Sequence, residues 1–221
     1  MMPFPGGIES LSNGTLIFSA ALALFYLYSV TRLPSLRRTV AKTASIALLA
    51  LLAWIEGGPT ILVAALALSA IGDACLAQEG ESAFMGGLSA FLAAHIAYVV
   101  LFALIGGGWE AVAGPRMAIA ALMAVSVVGS LIVLWNGVPG ALKLPVIAYS
   151  AAILAMGLFA LTVPNPLVAA GAVLFMASDS LLATGKFRAD IASRMGWLPQ
   201  AVWLLYYAAQ VVLTLSVLAI S

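Results

Sequence analysis

Apolar runs of about twenty residues, broken by short clusters of Gly, Pro and charge, make up most of this chain. A helix crossing the hydrocarbon core of a bilayer needs about 20 mostly apolar residues. Eight such segments are predicted, near 13–31, 38–55, 59–78, 83–105, 115–135, 141–162, 165–184 and 197–220. The breaks read RLPSLRR, EGGP, QEGES, GGGWEAVAGPR, NGVPG, VPNP and GKFRADIASRMG. At VPNP, Asn165 between two prolines favours a tight turn, which divides one long apolar stretch into two segments. The pattern predicts an all-α polytopic membrane protein, an eight-transmembrane-helix bundle that forms a single integral membrane domain over residues 1–221.

Composition strengthens that reading. The 221 residues are 64% hydrophobic and 8% charged, against roughly 25% charged in an ordinary soluble domain. A net charge of +1 implies no nucleic-acid partner. The single cysteine, Cys75, lies in an apolar run and cannot form an internal disulfide. One histidine, His95, cannot build a His-rich zinc site, so no metal and no cofactor are expected. No Lys or Arg precedes Arg32, so the first segment lacks the basic start of a secretory signal and is read as a retained helix.

Charge sets the expected orientation. Arg32, Arg37, Arg38, Lys42, Lys143, Lys186, Arg188 and Arg194 fall on one side, and only Arg116 of the nine basic residues falls on the other. Basic loops face the cytoplasm, which puts both termini on the non-cytoplasmic side. The halves also share positions: Lys42 and Lys143 each open a helix, and Asp73 in GDACLA is echoed by Asp179 in SDSLLA. Four helices per half points to two parallel repeats.

Ionisable groups at a helix centre carry a penalty of roughly 2.5–3.5 kcal/mol on insertion scales, so they face a cavity or a partner. Asp73 and Asp179 lie about 7–10 Å in from the basic side, counted at the helical rise. Lys42, Tyr149, Tyr206 and Tyr207 fall in a similar layer, and His95 and Gln210 lie deeper. The two carboxyls are expected to face a common cavity between neighbouring helices. Each residue also has a plainer reading. An Asp can pair with Lys42 or a tyrosine to fix packing. His95 can be an interhelical hydrogen-bonding residue. Tyr206 and Gln210 share a face at i, i+4 spacing. Lys186 can snorkel as a topology anchor. Trp109 and Trp197 read as interfacial anchors, and Gly86, Ala90 and Ala94 as a close-packing face.

Taken together, Lys42 near the start of helix 2, GDACLA, GGLSAFLAAHIAYVVLF, PVIAYS, SDSLLATGKF and YYAAQVV resemble the YhhN family in the same order over nearly the whole chain. Two positions depart from its pattern: Thr43 stands where Pro often follows the Lys, and Gly185 where Asn often precedes Lys186. The second departure weakens any role for Lys186. The resemblance implies an eight-helix hydrolase of a bacterial inner membrane. It would cleave the vinyl ether of a lysoplasmalogen taken from the bilayer into a fatty aldehyde and a glycerophospho-base. It also implies Asp73 and Asp179 as catalytic residues, with Lys42, His95, Tyr149, Tyr207 and Gln210 around the substrate. Vinyl ether hydrolysis needs a protonated acid, an anion near an oxocarbenium ion and a base for water, which two carboxyls supply, as in glycoside hydrolysis. Buried carboxyls and parallel repeats also suit a proton-coupled transporter.

Overall fold

A computed structural model describes residues 2–220. The described residues are all-helical, with no strand. The long helices are α1 (Leu11–Ser29), α2 (Leu36–Ile55), α3 (Thr60–Leu76), α4 (Glu81–Ile105), α5 (Pro115–Leu134), α6 (Lys143–Ala160), α7 (Pro166–Phe187) and α9 (Leu198–Leu218); one short helix, α8 (Ala189–Ala192), follows α7. Seven of these are long and apolar enough to cross a bilayer, while α3 is an apolar helix of 17 residues. The chain is an integral membrane protein.

Local chemistry explains several ends. Ser10 caps α1 by accepting from the Asn13 N–H, and Ser35 caps α2 by accepting from the Arg38 N–H. The VPNP turn forms as expected: α6 ends at Ala160, and Asn165 caps α7 by accepting from the Leu167 N–H, with Pro166 at the first helical position.

The contacts divide the chain into two compact units, residues 1–98 with 217–221, and residues 99–216. The interiors are built from small and polar side chains as much as from large ones. The first unit buries Ser12, Asn13, Ser19, Ser45, Ala53, Ala65 and Ser69, while Leu24, Phe25, Tyr28 and Trp54 are exposed. Lipid tails are as apolar as leucine, so helices gain little by hiding leucine from them. Close backbone approach and interhelical hydrogen bonds hold such helices together instead. Ser19 Oγ, for instance, donates to the Ser45 carbonyl across α1 and α2 at 2.6 Å. In the second unit, a Cβ at Gly157 would come within 2.8 Å of Met176 Sδ, and one at Gly171 within 2.8 Å of the Leu213 side chain. Glycine at both positions lets the side chains of neighbouring helices lie where a Cβ would otherwise press on them.

Three helices of each unit share one pattern of buried positions. Ile46, Leu49, Ala50 and Ala53 of α2 recur 107 residues later as Ile153, Met156, Gly157 and Ala160 of α6. Leu62, Ala65, Leu66 and Ala70 of α3 recur 106 residues later as Val168, Gly171, Ala172 and Met176 of α7. Phe91, Ala94, His95 and Tyr98 of α4 recur 115 residues later as Tyr206, Ala209, Gln210 and Leu213 of α9. The correspondence of Asp73 with Asp179 read from the sequence keeps this register, and that of Lys42 with Lys143 does not. Lys143 is the first residue of α6 and lies over the Trp135 ring at 4.5 Å, whereas Lys42 is six residues inside α2. By helix position Lys42 corresponds to Tyr149, not to Lys143.

Candidate active site

In the first unit, Asp73 sits three residues before the end of α3, and α2 runs alongside. The Lys42 ammonium lies 3.1 Å from Asp73 Oδ1, with the lysine side chain 12% exposed and the aspartate 1%. A buried carboxyl is thereby matched with a nearly buried cation, the arrangement that an apolar surrounding demands. Lys42 Nζ also lies 5.9 Å from the centre of the Tyr26 ring, and Tyr26 is buried. His95, ten residues before the end of α4, is fully buried.

In the second unit, Asp179 lies eight residues before the end of α7 and is half-buried. The Tyr149 hydroxyl, six residues into α6, donates to Asp179 Oδ2 at 2.5 Å. The pairs Lys42–Asp73 and Tyr149–Asp179 therefore occupy corresponding places in the two units. Gln210 is fully buried on α9 and its Nε2 donates to the Tyr206 hydroxyl at 3.3 Å, realising the i, i+4 relation. Tyr207 is half-buried and stacks on Trp203 with ring centres 5.9 Å apart, and Tyr206 packs edge-on against Phe175 at 5.3 Å.

The structure thus joins Lys42 to Asp73 and Tyr149 to Asp179, and sets Gln210 and Tyr207 on the helix beside α7. Six of the seven residues singled out from sequence fall into three corresponding pairs: Lys42 with Tyr149, Asp73 with Asp179, and His95 with Gln210. Tyr207 has no polar counterpart, since Leu92 takes that place in α4. Two residues at these sites carry no signal in the sequence: Tyr26, hidden in the aromatic run FYLYS, and Trp203, whose stacking on Tyr207 only the fold shows. Trp109 and Trp197 are both more than half exposed, as suits interfacial anchors. Among the described residues no three His, Cys, Asp or Glu side chains gather as a metal-binding group.

Arg116 is the basic residue that broke the charge asymmetry. Its guanidinium donates to the carbonyls of Leu161 at 2.9 Å and Pro164 at 3.3 Å. It satisfies the carbonyl of Leu161, the C-cap of α6, and that of Pro164 in the turn that follows. Its position answers a local hydrogen-bonding need.

No solved structure matches this chain. Over 158 residues it is 36% identical to proteins named lysoplasmalogenase from Mycobacterium tuberculosis and Mycobacterium bovis, covering 69% of this chain and 58% of each relative. It is 34% identical over 167 residues to human lysoplasmalogenase TMEM86B, covering 74% of this chain and 66% of that protein. The matched region is thus under two thirds of each of these relatives' length. The YhhN family matches residues 37–217, which takes in both carboxyls and their partners. The chain belongs to the YhhN family.

Proposed function

We propose that this protein hydrolyses the vinyl ether of a lysoplasmalogen within the bilayer, using Asp73 and Asp179 as its reacting carboxyls. The observation that carries the proposal is the repeated device of one intramembrane carboxyl per unit, each held by a polar side chain of the preceding helix: Asp73 by Lys42 and Asp179 by Tyr149. Relatives named lysoplasmalogenase support the choice of substrate.

The reaction starts when an acid adds a proton to the β-carbon of the enol ether. The double-bond electrons form the new C–H bond and leave an oxocarbenium ion. Water adds to that cation as a base removes its proton. The hemiacetal then collapses, releasing the fatty aldehyde and restoring the glycerol hydroxyl. One carboxyl serves as proton donor, and a carboxylate stabilises the cation and takes the proton from water. Lys42 supports a charged carboxyl, and the Tyr149 hydroxyl gives Asp179 a hydrogen-bonded path for a proton. His95, Gln210 and Tyr207 orient the lipid and the water.

In this reading the chain spans the inner membrane of a bacterium eight times, with α3 as the shortest span and both termini outside. Purified protein in detergent micelles, offered a lysoplasmalogen, should release aldehyde with no ion gradient present. Gradient-dependent movement of solute in sealed vesicles without aldehyde release would replace this reading with the transporter.

A further inference from the structure

We infer that Gly72 and Ser178, the residues immediately before Asp73 and Asp179, are positioning residues for those carboxyls. Each fixes the carboxyl's helix against the third helix of its own repeat. The inference rests on the roles proposed for the two aspartates.

The two residues use different chemistry at one repeat position. In the first unit, a Cβ at Gly72 would lie 2.6 Å from two atoms of the Phe91 ring. Facing it, a Cβ at Gly87 would lie 2.6 Å from the Leu76 side chain and 3.4 Å from the Gly72 carbonyl oxygen. Thus α3 and α4 meet at glycine distance on both sides of Asp73, and the helix cannot shift there without opening that contact. In the second unit, Ser178 is buried and its Oγ donates to the Val202 carbonyl of α9 at 2.9 Å. Ser178 follows Gly72 by 106 residues, the separation between Asp73 and Asp179. Val202 follows Gly87 by 115, the separation between α4 and α9 positions throughout.

The neighbouring hydroxyls of α7 act differently. Ser180 donates to the Met176 carbonyl and Thr184 to the Ser180 carbonyl, both within α7. Ser178 alone of these three reaches across to another helix. A hydroxyl one residue from Asp179 therefore sets where α7 stands against α9, and so where the carboxylate is held. Acid and base catalysis is steep in geometry, and a misplacement of about 1 Å can lower a rate by as much as 10²-fold.

The test compares Ser178→Ala with Ser180→Ala. Each removes one hydroxyl beside Asp179, but only the first removes a bond between helices. Ser178→Ala should lower kcat for lysoplasmalogen about tenfold with KM unchanged, and Ser180→Ala should leave both constants at the parent values. Gly72→Ala should likewise lower kcat, and Phe91→Leu in the same chain, which vacates the ring's space, should restore most of it. Equal kcat for the two serine variants, or a Gly72→Ala loss that Phe91→Leu does not relieve, overturns the inference. Asp179→Asn run alongside separates the two levels: if it keeps the parent rate, the proposed chemistry itself is wrong.

Discussion

Lys42 and Tyr149 determine what substitutions at the two carboxyls report. Asp73→Asn removes a charge but strands the Lys42 ammonium in a nearly water-free place. Breaking a buried pair by deleting one partner costs about 3–5 kcal/mol, so this variant should lose both activity and thermal stability. Adding Lys42→Met should recover the melting temperature and leave hydrolysis absent. Recovery of activity in that double variant would show that the pair serves packing alone. Asp179→Asn keeps the size of the side chain and an acceptor for Tyr149, so it should remain folded while losing about 10²–10⁴-fold in rate. Tyr149→Phe should fall between this variant and the parent in steady-state kinetics. A Tyr149→Phe rate equal to the parent's would remove the phenol from the mechanism. Both carboxyls were legible in the sequence, because charge is conspicuous in an apolar run. Their partners were less so: Lys42 precedes Asp73 by 31 residues, Tyr149 precedes Asp179 by 30, and only the folded helices show that these spacings are the same contact.

At the scale of elements, the breaks were legible because Gly, Pro and Asn act locally. EGGP ends α2 at Ile55, with Gly57 at φ 69°, and VPNP separates α6 from α7. The bounds moved where the chain holds its ends by contacts between elements. Arg116 shows this at the end of α6. Replacing it with Ala leaves two carbonyls without that donor and should destabilise the fold by about 1–3 kcal/mol. The melting temperature in detergent should fall while kcat at a permissive temperature holds, and an unchanged melting temperature would contradict the assigned role. At the far end of α7, Arg188 donates to the Val133 carbonyl and forms a two-bonded pair with Asp190. The hydrogen bond from Arg188 lowers the Asp190 pKa from 3.8 to about 2. That contribution is complete above the unfolded value near 3.8 and is lost as pH falls through about 2. Asp190→Asn should therefore leave the shape of a rate profile between pH 5 and 9 unchanged, and a displaced inflection there would refute it.

For the whole molecule, periodicity and composition were enough to make the chain helical and membrane-embedded. Two features were not legible that way. The span count turns on α3, whose 17 residues are fewer than the 18 to 25 of the other long helices. The pairing of Lys42 with Lys143 did not hold: Lys143 opens α6, whereas Lys42 lies six residues inside α2, at the place that Tyr149 takes in α6 with a different side chain. Single cysteines introduced in a Cys75→Ala background test the topology. Positions 35 and 139 should be shielded from a membrane-impermeant thiol reagent in intact cells, and position 108 should label. Ready labelling at 35 from outside would invert the orientation. If two carboxyls drive protonation of an enol ether carbon, hydrolysis of a lysoplasmalogen in D₂O by the purified protein must leave a mark of the solvent on that carbon. The expected product is a fatty aldehyde with one solvent deuterium on the carbon next to the carbonyl, formed by the parent and not by Asp73→Asn or Asp179→Asn. Aldehyde without that deuterium, or deuterated aldehyde formed at the parent rate by both variants, would contradict it.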